Sequence, residues 1–258
     1  MSIFPLFFVA AFVFGACVGS FLNVCIYRIP AGLSIVRPGS HCPRCDTTIA
    51  FYDNVPIFSY LLLGGKCRNC KVPISLRYPL VELLTGLLAS MCLWRFGPTF
   101  LGLTAFVFVA VLVVVTFIDV DHRIIPDVIS LPGIPLFFFI SLANPYLTWL
   151  ESVWGIVIGG GILFTVAWGY QMMTGRDGMG GGDIKLLAMI GAMVGWKGVV
   201  FTLFAASVIG AMVGLFAMIR AGKDMRLAIP FGPFLSAGAI LFLFFGNELI
   251  FWYVSVLN

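Results

Sequence analysis

Charged side chains are scarce in this chain. Asp, Glu, Lys and Arg make up 10% of its 258 residues, whereas 61% of the residues are hydrophobic. Soluble globular domains contain about 25% charged residues and do not need so much apolar surface. The composition therefore excludes an ordinary soluble protein and predicts an all-α, polytopic membrane protein.

Apolar segments account for most of the chain. A helix of about 20 apolar residues crosses a bilayer. Segments of this kind lie at 3–27, 78–94, 100–118, 128–148, 152–173, 184–196, 198–219 and 229–256. The first segment lacks a basic n-region, so we expect it to be retained and not cleaved as a signal peptide. The sequence thus predicts about eight transmembrane helices.

Basic residues are distributed unevenly among the loops between these segments. Arg95 and Lys197 fall in one alternate set of loops, and the other thirteen of the 15 basic residues fall in the opposite set. Because cytoplasmic loops retain Lys and Arg, we expect loop 28–77, Asp119 and Asp183 on the cytoplasmic side and both termini in the periplasm. The net charge of +4 follows from this bias, which places basic residues near anionic lipid headgroups. No nucleic-acid partner is therefore predicted.

Loop 28–77 is polar and long enough to form a small domain between the first two membrane helices. It contains two Cys-x-x-Cys pairs, Cys42–Cys45 and Cys67–Cys70, which is the ligand pattern of a zinc ribbon. Disulfides are the alternative, but a reducing cytoplasm disfavours them, and His41 is disfavoured as a ligand beside a cysteine. We expect a structural Zn²⁺, because four thiolates leave no open position for water.

Two acidic positions interrupt or end apolar segments. Asp183 follows the glycine run Gly178–Gly182, and Asp119 lies in the last turn of an apolar segment. Carboxylates at bilayer depth are costly and usually functional, and two close together share a proton, so that one activates water while the other polarises a carbonyl. The pattern predicts an aspartyl acid–base pair, with Asp121 as second choice to Asp119, whereas Asp127 is expected to cap the next helix.

The apolar segment 184–196 is too short to cross a membrane alone. Thirteen helical residues rise about 20 Å, against about 30 Å of hydrocarbon. Either the glycine run or the turn at Trp196–Gly198 must therefore enter the membrane. We expect Gly180, Gly181 and Gly182 to form a supporting loop that an extended substrate backbone can approach; close helix packing is the alternative role for these glycines.

In order and content, the motifs resemble those of the bacterial type IV prepilin peptidases, a family of GxGD aspartyl proteases. The resemblance covers nearly the whole chain. The matching blocks are Gly19–Val24, the two Cys-x-x-Cys pairs around Tyr52–Pro56, Arg77–Gly86, Asp119–Asp127, Gly178–Lys185 and Ile229–Phe234.

The resemblance implies a bifunctional enzyme of the bacterial inner membrane, serving type IV pili and type II secretion. Its catalytic pair corresponds to Asp119 and Asp183. Its substrates are prepilins and pseudopilins, whose short basic leader is cut at the cytoplasmic face after a glycine, just before a hydrophobic helix. The new N-terminal residue is then methylated from S-adenosylmethionine.

The methyltransferase part is implied by the resemblance alone, which places it in residues 1–86 and the peptidase in 87–258. No Gly-x-Gly-x-x-Gly motif follows a predicted strand, so no ordinary nucleotide-binding sheet is expected. Glu82, Asp53 and Asn54 are candidates there, since a carboxylate can hold the amine or the cationic sulfur. Alternatively, Glu82 stabilises a helix start and Asp53–Asn54 forms a turn.

Two other functions fit parts of the pattern. A membrane transporter of cations or metals would use membrane carboxylates and a zinc-sensing loop, but both carboxylates lie near one face and leave no path across the bilayer. A non-enzymatic assembly factor would dock through the ribbon, but it leaves Asp183 unexplained.

Overall fold

A computed structural model describes residues 4–176, 178–221 and 229–257. The eight α-helices of this part are α1 (Phe4–Arg28), α2 (Phe58–Leu62), α3 (Arg77–Phe96), α4 (Phe100–His122), α5 (Asp127–Ser141), α6 (Trp149–Thr174), α7 (Gly181–Ala221) and α8 (Gly232–Leu257). A 3₁₀ turn covers Phe51–Asn54. Among the described residues there are isolated β-bridges and no strand, which confirms the predicted all-α fold class.

Five of these helices are long and apolar enough to cross a membrane, namely α1, α3, α4, α6 and α7. Helix α5 and the stretch Gly232–Gly246 of α8 are shorter apolar helices. Each predicted apolar segment contains a helix, although α5 ends at Ser141, before the predicted end of segment 128–148. The count of eight transmembrane helices stays a prediction.

Helix α7 is interrupted at Gly195, whose backbone has φ 71° and ψ 178°. Glycine adopts this conformation readily because it lacks a Cβ. The interruption divides α7 into two apolar stretches close to the predicted division between 184–196 and 198–219, so the polar turn expected at Trp196–Gly198 is reduced to a single non-helical residue.

The chain forms two compact units, Met1–Val114 and Val115–Asn258, and the division falls within α4. In the first unit α1 packs on α3 through small residues. A Cβ added to Gly15 would lie 2.5 Å from the Ala89 side chain, and one added to Gly19 would lie 2.8 Å from the Glu82 backbone. Small residues of this kind let two helix backbones approach closely.

In the second unit α7 packs against α5, α6 and α8. Gly155 of α6 and Gly191 of α7 meet backbone to backbone, and the Ser152 hydroxyl donates to the Ala192 carbonyl oxygen at 2.7 Å. Leu186, Leu187, Met189 and Ile190, which follow Asp183 in α7, are all fully buried. This packing fixes the first turn of α7, where Asp183 lies.

Candidate active site

Asp119 lies in the last turn of α4 and is only 5% exposed. The backbone N–H of Gly232, the first residue of α8, donates to its Oδ2 at 3.0 Å. The N-terminus of a helix carries partial positive charge and attracts anions. Asp119 is therefore a buried carboxylate held by the beginning of another helix.

Asp183 is the third residue of α7 and is half-buried. It lies close enough to Asp119 for the two carboxyl groups to interact electrostatically. The structure thus brings together the two aspartates that the sequence pattern paired, although they are 64 residues apart in the chain. Two carboxyl groups that interact in this way suit general acid–base catalysis.

Only part of the glycine run forms the loop that we predicted. Gly181 and Gly182 are the first two residues of α7, and the Asp183 N–H donates to the Gly180 carbonyl oxygen at 3.2 Å. The reason is that a helix can begin at glycine when the following residues are well packed. Of the predicted supporting loop, Gly180 alone precedes the helix.

The glycines near Asp119 and Asp183 have different surroundings. A Cβ on Gly182 would lie 2.9 Å from the Ile125 side chain, and a Cβ on Gly232 would lie 2.7 Å from Asp119 Oδ2. Nothing in the described structure lies within 4 Å of a Cβ on Gly180 or Gly181. Close packing therefore accounts for Gly182 and Gly232, whereas Gly180 and Gly181 leave open space beside Asp183.

The two other acidic positions of this region have separate environments. Asp121 is exposed at the end of α4. Asp127 is the first residue of α5, one position after the N-cap Pro126. Its carboxylate accepts from Lys185 Nζ at 2.7 and 2.8 Å. The predicted capping role of Asp127 is thus wrong, because its side chain pairs with α7 instead.

Sequence reasoning missed Gly232, Ile125 and Lys185, which surround or support the aspartate pair. Gly232 lies in a quoted motif, but the motif alone gave no reason to place its N–H on Asp119. Lys185 carried a usable signal, because a charge two residues after Asp183 in an apolar segment is itself unusual.

The four cysteines of the two Cys-x-x-Cys pairs form one cluster. Their sulfur atoms all lie within 4.8 Å of one another, and Cys42 Sγ is 3.7 Å from Cys70 Sγ. A tetrahedral zinc site with Zn–S bonds of about 2.3 Å separates sulfurs by roughly 3.8 Å. All four are free thiols and His41 is outside the cluster, so the geometry fits four-thiolate zinc binding.

The two cysteine pairs have the same backbone structure, offset by 25 residues. Cys42 N–H donates to Thr47 O at 3.0 Å, and Cys67 N–H donates to Val72 O at 2.9 Å. One residue before each acceptor the chain takes a positive φ, 54° at Asp46 and 58° at Lys71. Each repeat therefore presents its two sulfurs in the same way, which the spacing of the cysteines did not reveal.

The four cysteines of the cluster differ in how readily they form a thiolate. Bonds to the side chain and backbone of Thr47 lower the pKa of Cys45 to about 6. A cysteine binds metal as the thiolate, which these bonds favour at Cys45, whereas burial and the three neighbouring cysteines raise the pKa of Cys70 to about 11.

A cavity of about 1170 Å³ lies in the first unit, and its lining includes Asn23, Asp53, Asn54 and Glu82. The Glu82 side chain is buried and accepts the Ile57 N–H at 2.8 Å. Asn54 is exposed at the end of the 3₁₀ turn. The structure therefore brings the three predicted methyltransferase candidates to one cavity.

Asp53 is already paired. Arg68 Nε and Nη2 donate to its two carboxylate oxygens at 2.7 and 2.6 Å. These bonds and the charge of Arg68 lower the pKa of Asp53. Asp53 thus anchors the 3₁₀ turn to the second cysteine repeat, which contains Arg68. This ion pair gives Asp53 a structural role, so Glu82 is the remaining carboxylate among the methyltransferase candidates.

Comparison with known proteins shows which protein families the sequence matches. Residues 13–96 match the profile of the Bacterial Peptidase A24 N-terminal domain, and residues 106–215 match that of the Type IV leader peptidase family. No solved structure gives a significant match.

Curated relatives match over most of their length and carry the name Prepilin leader peptidase/N-methyltransferase. The protein of Stutzerimonas stutzeri is 36% identical, covering 97% of this chain and 95% of its own. That of Pseudomonas aeruginosa is 35% identical over the same shares. That of Myxococcus xanthus is 44% identical, covering 85% of this chain and 65% of its own.

Proposed function

Because this chain belongs to the type IV leader peptidase family, we propose that it removes the leader of type IV prepilins and pseudopilins and then methylates the new N-terminal amine. One observation carries the peptidase assignment. The buried Asp119 carboxylate, held by the Gly232 N–H, lies within electrostatic reach of Asp183. A pair of carboxyl groups with this arrangement can hydrolyse a peptide bond without a metal.

In the proposed reaction the two carboxyl groups hold one proton between them. The ionised member takes a proton from water, whose oxygen attacks the scissile carbonyl carbon, while the protonated member donates to the carbonyl oxygen. A proton then passes to the leaving nitrogen and the C–N bond breaks. The Gly232 N–H orients Asp119 throughout, because it bonds Oδ2 directly.

The open space at Gly180 and Gly181 suits the substrate of such a reaction. A protease binds the scissile segment in extended form, with backbone hydrogen bonds to the enzyme. Glycines without side chains let that segment approach next to Asp183. We assign these two glycines to substrate binding, and Gly182 to packing against Ile125.

We assign the protein to the bacterial inner membrane, with loop 28–77 and both aspartates on the cytoplasmic face and the termini in the periplasm. The uneven distribution of Lys and Arg supports this orientation. The basic leader of a prepilin would then remain in the cytoplasm while its hydrophobic helix lies in the bilayer. Cleavage between them has to occur at the face where we place Asp119 and Asp183.

Methylation belongs to residues 1–86 in this proposal, and the peptidase to residues 87–258. S-adenosylmethionine supplies the methyl group, and the cavity of the first unit is large enough for a ligand of that size, since small-molecule sites measure about 300 to 1,000 Å³. Cys42, Cys45, Cys67 and Cys70 would hold a structural Zn²⁺ that fixes the loop forming the cavity wall.

Intact-mass analysis of a prepilin tests both activities together. With purified protein and S-adenosylmethionine, the prepilin should lose its leader and gain one methyl group; without the methyl donor it should only lose the leader. A prepilin left unchanged under both conditions would contradict the proposal and favour the transporter function.

A further inference from the structure

Helices α1 and α3 hold polar residues at the points where they touch. Gly19 lies against Glu82, and four residues later in α1 Asn23 bonds to Tyr78, four residues earlier in α3. The two helices are therefore antiparallel, and Asn23 and Glu82 lie on adjacent levels of one interface. Both residues line the cavity of the first unit.

Asn23 has an unsatisfied acceptor. Its side-chain nitrogen donates to the Tyr78 carbonyl oxygen at 3.1 Å, which fixes the orientation of the amide. The residue is 2% exposed, and its Oδ1 has no hydrogen-bond partner among the described residues. Buried polar atoms nearly always have a partner, so an unpaired acceptor at the wall of a cavity indicates that a donor binds there.

Glu82 is held by neutral donors at the same wall. Its carboxylate accepts the Ile57 N–H at 2.8 Å and bonds to the Ser20 side chain. Because a carboxylate has about four acceptor positions, these bonds leave capacity for a ligand. Ile57 has φ 64°, a conformation that strains a β-branched residue and is maintained mainly at functional sites.

On the basis of the proposed function, we propose that Asn23 and Glu82 bind the N-terminal amine of the cleaved pilin, and that Glu82 removes its proton for methylation. Asn23 Oδ1 accepts one N–H of the ammonium group. Glu82 accepts the proton that leaves nitrogen, and the freed lone pair attacks the methyl carbon of S-adenosylmethionine. The carbon–sulfur bond breaks, so that the sulfonium becomes a neutral thioether.

The position of the two residues favours the amine over the methyl donor. Asn23 lies five residues before the end of α1, and Glu82 lies five residues after the start of α3, which places each about 7.5 Å inside its helix end. The mature pilin begins with a hydrophobic helix, so its amine arrives at membrane depth. A soluble donor would occupy the outer part of the cavity, which residues of loop 28–77 line.

Two variants separate this inference from the function on which it rests. Glu82→Gln keeps an acceptor for Ile57 but cannot take the proton, so methylation of precleaved pilin should slow about 100-fold or more in kcat. Asn23→Leu loses an acceptor for a charged donor and should raise KM for the pilin at least about tenfold. Both should bind labelled S-adenosylmethionine in equilibrium dialysis like wild type and still cleave prepilin.

Thr85→Val, which removes a buried hydroxyl bonded within α3, is the matched control and should methylate normally.

Wild-type methylation kinetics in both variants, or loss of S-adenosylmethionine binding in Glu82→Gln, would overturn the assignment. A wild-type protein that neither cleaves nor methylates would instead overturn the proposed function. A binding measurement on the wild type does not depend on the folding of any variant: a mature pilin peptide with an acetylated N-terminus should bind at least about tenfold more weakly than the free peptide. Equal binding of the two peptides contradicts the inference.

Discussion

Lys185, the fifth residue of α7, and Asp127, the first residue of α5, connect the beginnings of these two helices. Lys185 Nζ lies 2.7 Å from Asp127 Oδ1 and 2.8 Å from Oδ2. Lys185 follows Asp183 by two residues, and Asp127 follows Ile125, which packs on Gly182. The ion pair thus joins the helix that carries Asp183 to the segment that leads away from Asp119.

Removing this ion pair should disturb catalysis more than stability. A half-exposed pair contributes about 0 to 1 kcal/mol to folding, but small displacements of reacting groups can reduce rates about 100-fold. We expect Lys185→Met to lower kcat for prepilin cleavage by about tenfold or more, with thermal unfolding almost unchanged. Lys197→Met, which removes the Lys197–Glu151 pair at 3.2 Å elsewhere in α7, is the control.

The double variant Asp127→Asn/Lys185→Met distinguishes the pair from its separate charges. If the two residues act through each other, the double variant should be no slower than Lys185→Met alone. Additive losses of cleavage rate would show that the ion pair does not position Asp183.

Gly232 should not tolerate a side chain. A Cβ at this position would lie 2.7 Å from Asp119 Oδ2, so Gly232→Ala must displace either the carboxylate or the beginning of α8. We expect cleavage to fall strongly and stability to decrease by about 1 to 3 kcal/mol, as for other overpacked sites. Cleavage assays and thermal unfolding measure the two effects.

Gly161→Ala provides the comparison for Gly232→Ala, because nothing described lies within 4 Å of its added Cβ in α6. This substitution should keep cleavage and slightly increase helix stability, since alanine favours helix over glycine by about 1 kcal/mol. Full cleavage by Gly232→Ala would show that the contact with Asp119 has no catalytic role.

Zinc binding should require all four cysteines of the two repeats. We expect one Zn²⁺ per chain by elemental analysis, and its loss in Cys42→Ser or after strong chelation, because serine cannot replace a thiolate in a four-sulfur site. Methylation should disappear with the metal. Cys92→Ser lies outside the cluster and should retain zinc; retention of the metal by Cys42→Ser would rule out the four-thiolate site.

Much of this arrangement was accessible from the sequence because its signals are rare. Apolar segments of helical length predict helices directly, and paired Cys-x-x-Cys motifs have few interpretations. Asp119 and Asp183 were recognisable because a charge at the edge of an apolar segment is costly. Each of these inferences uses local composition, which the chain displays without knowledge of packing.

The remaining features depend on packing between distant segments. Gly232 donates to Asp119, 113 residues earlier, because the folded chain places the beginning of α8 beside the end of α4. Asp127 was interpreted as a cap because local rules cannot foresee a partner 58 residues away. Likewise, Asn23 was a polar residue in an apolar segment, and its unpaired oxygen becomes visible only when Tyr78 occupies its nitrogen.

The most direct test of the aspartate pair is prepilin cleavage by Asp119→Asn and Asp183→Asn, measured by intact mass together with zinc content and thermal unfolding. Each variant should leave the leader attached while zinc and folding persist, because asparagine matches aspartate in shape but cannot exchange a proton. Asp121→Asn, exposed at the end of α4, should cleave normally. Cleavage by either Asp119→Asn or Asp183→Asn at the wild-type rate would contradict the account.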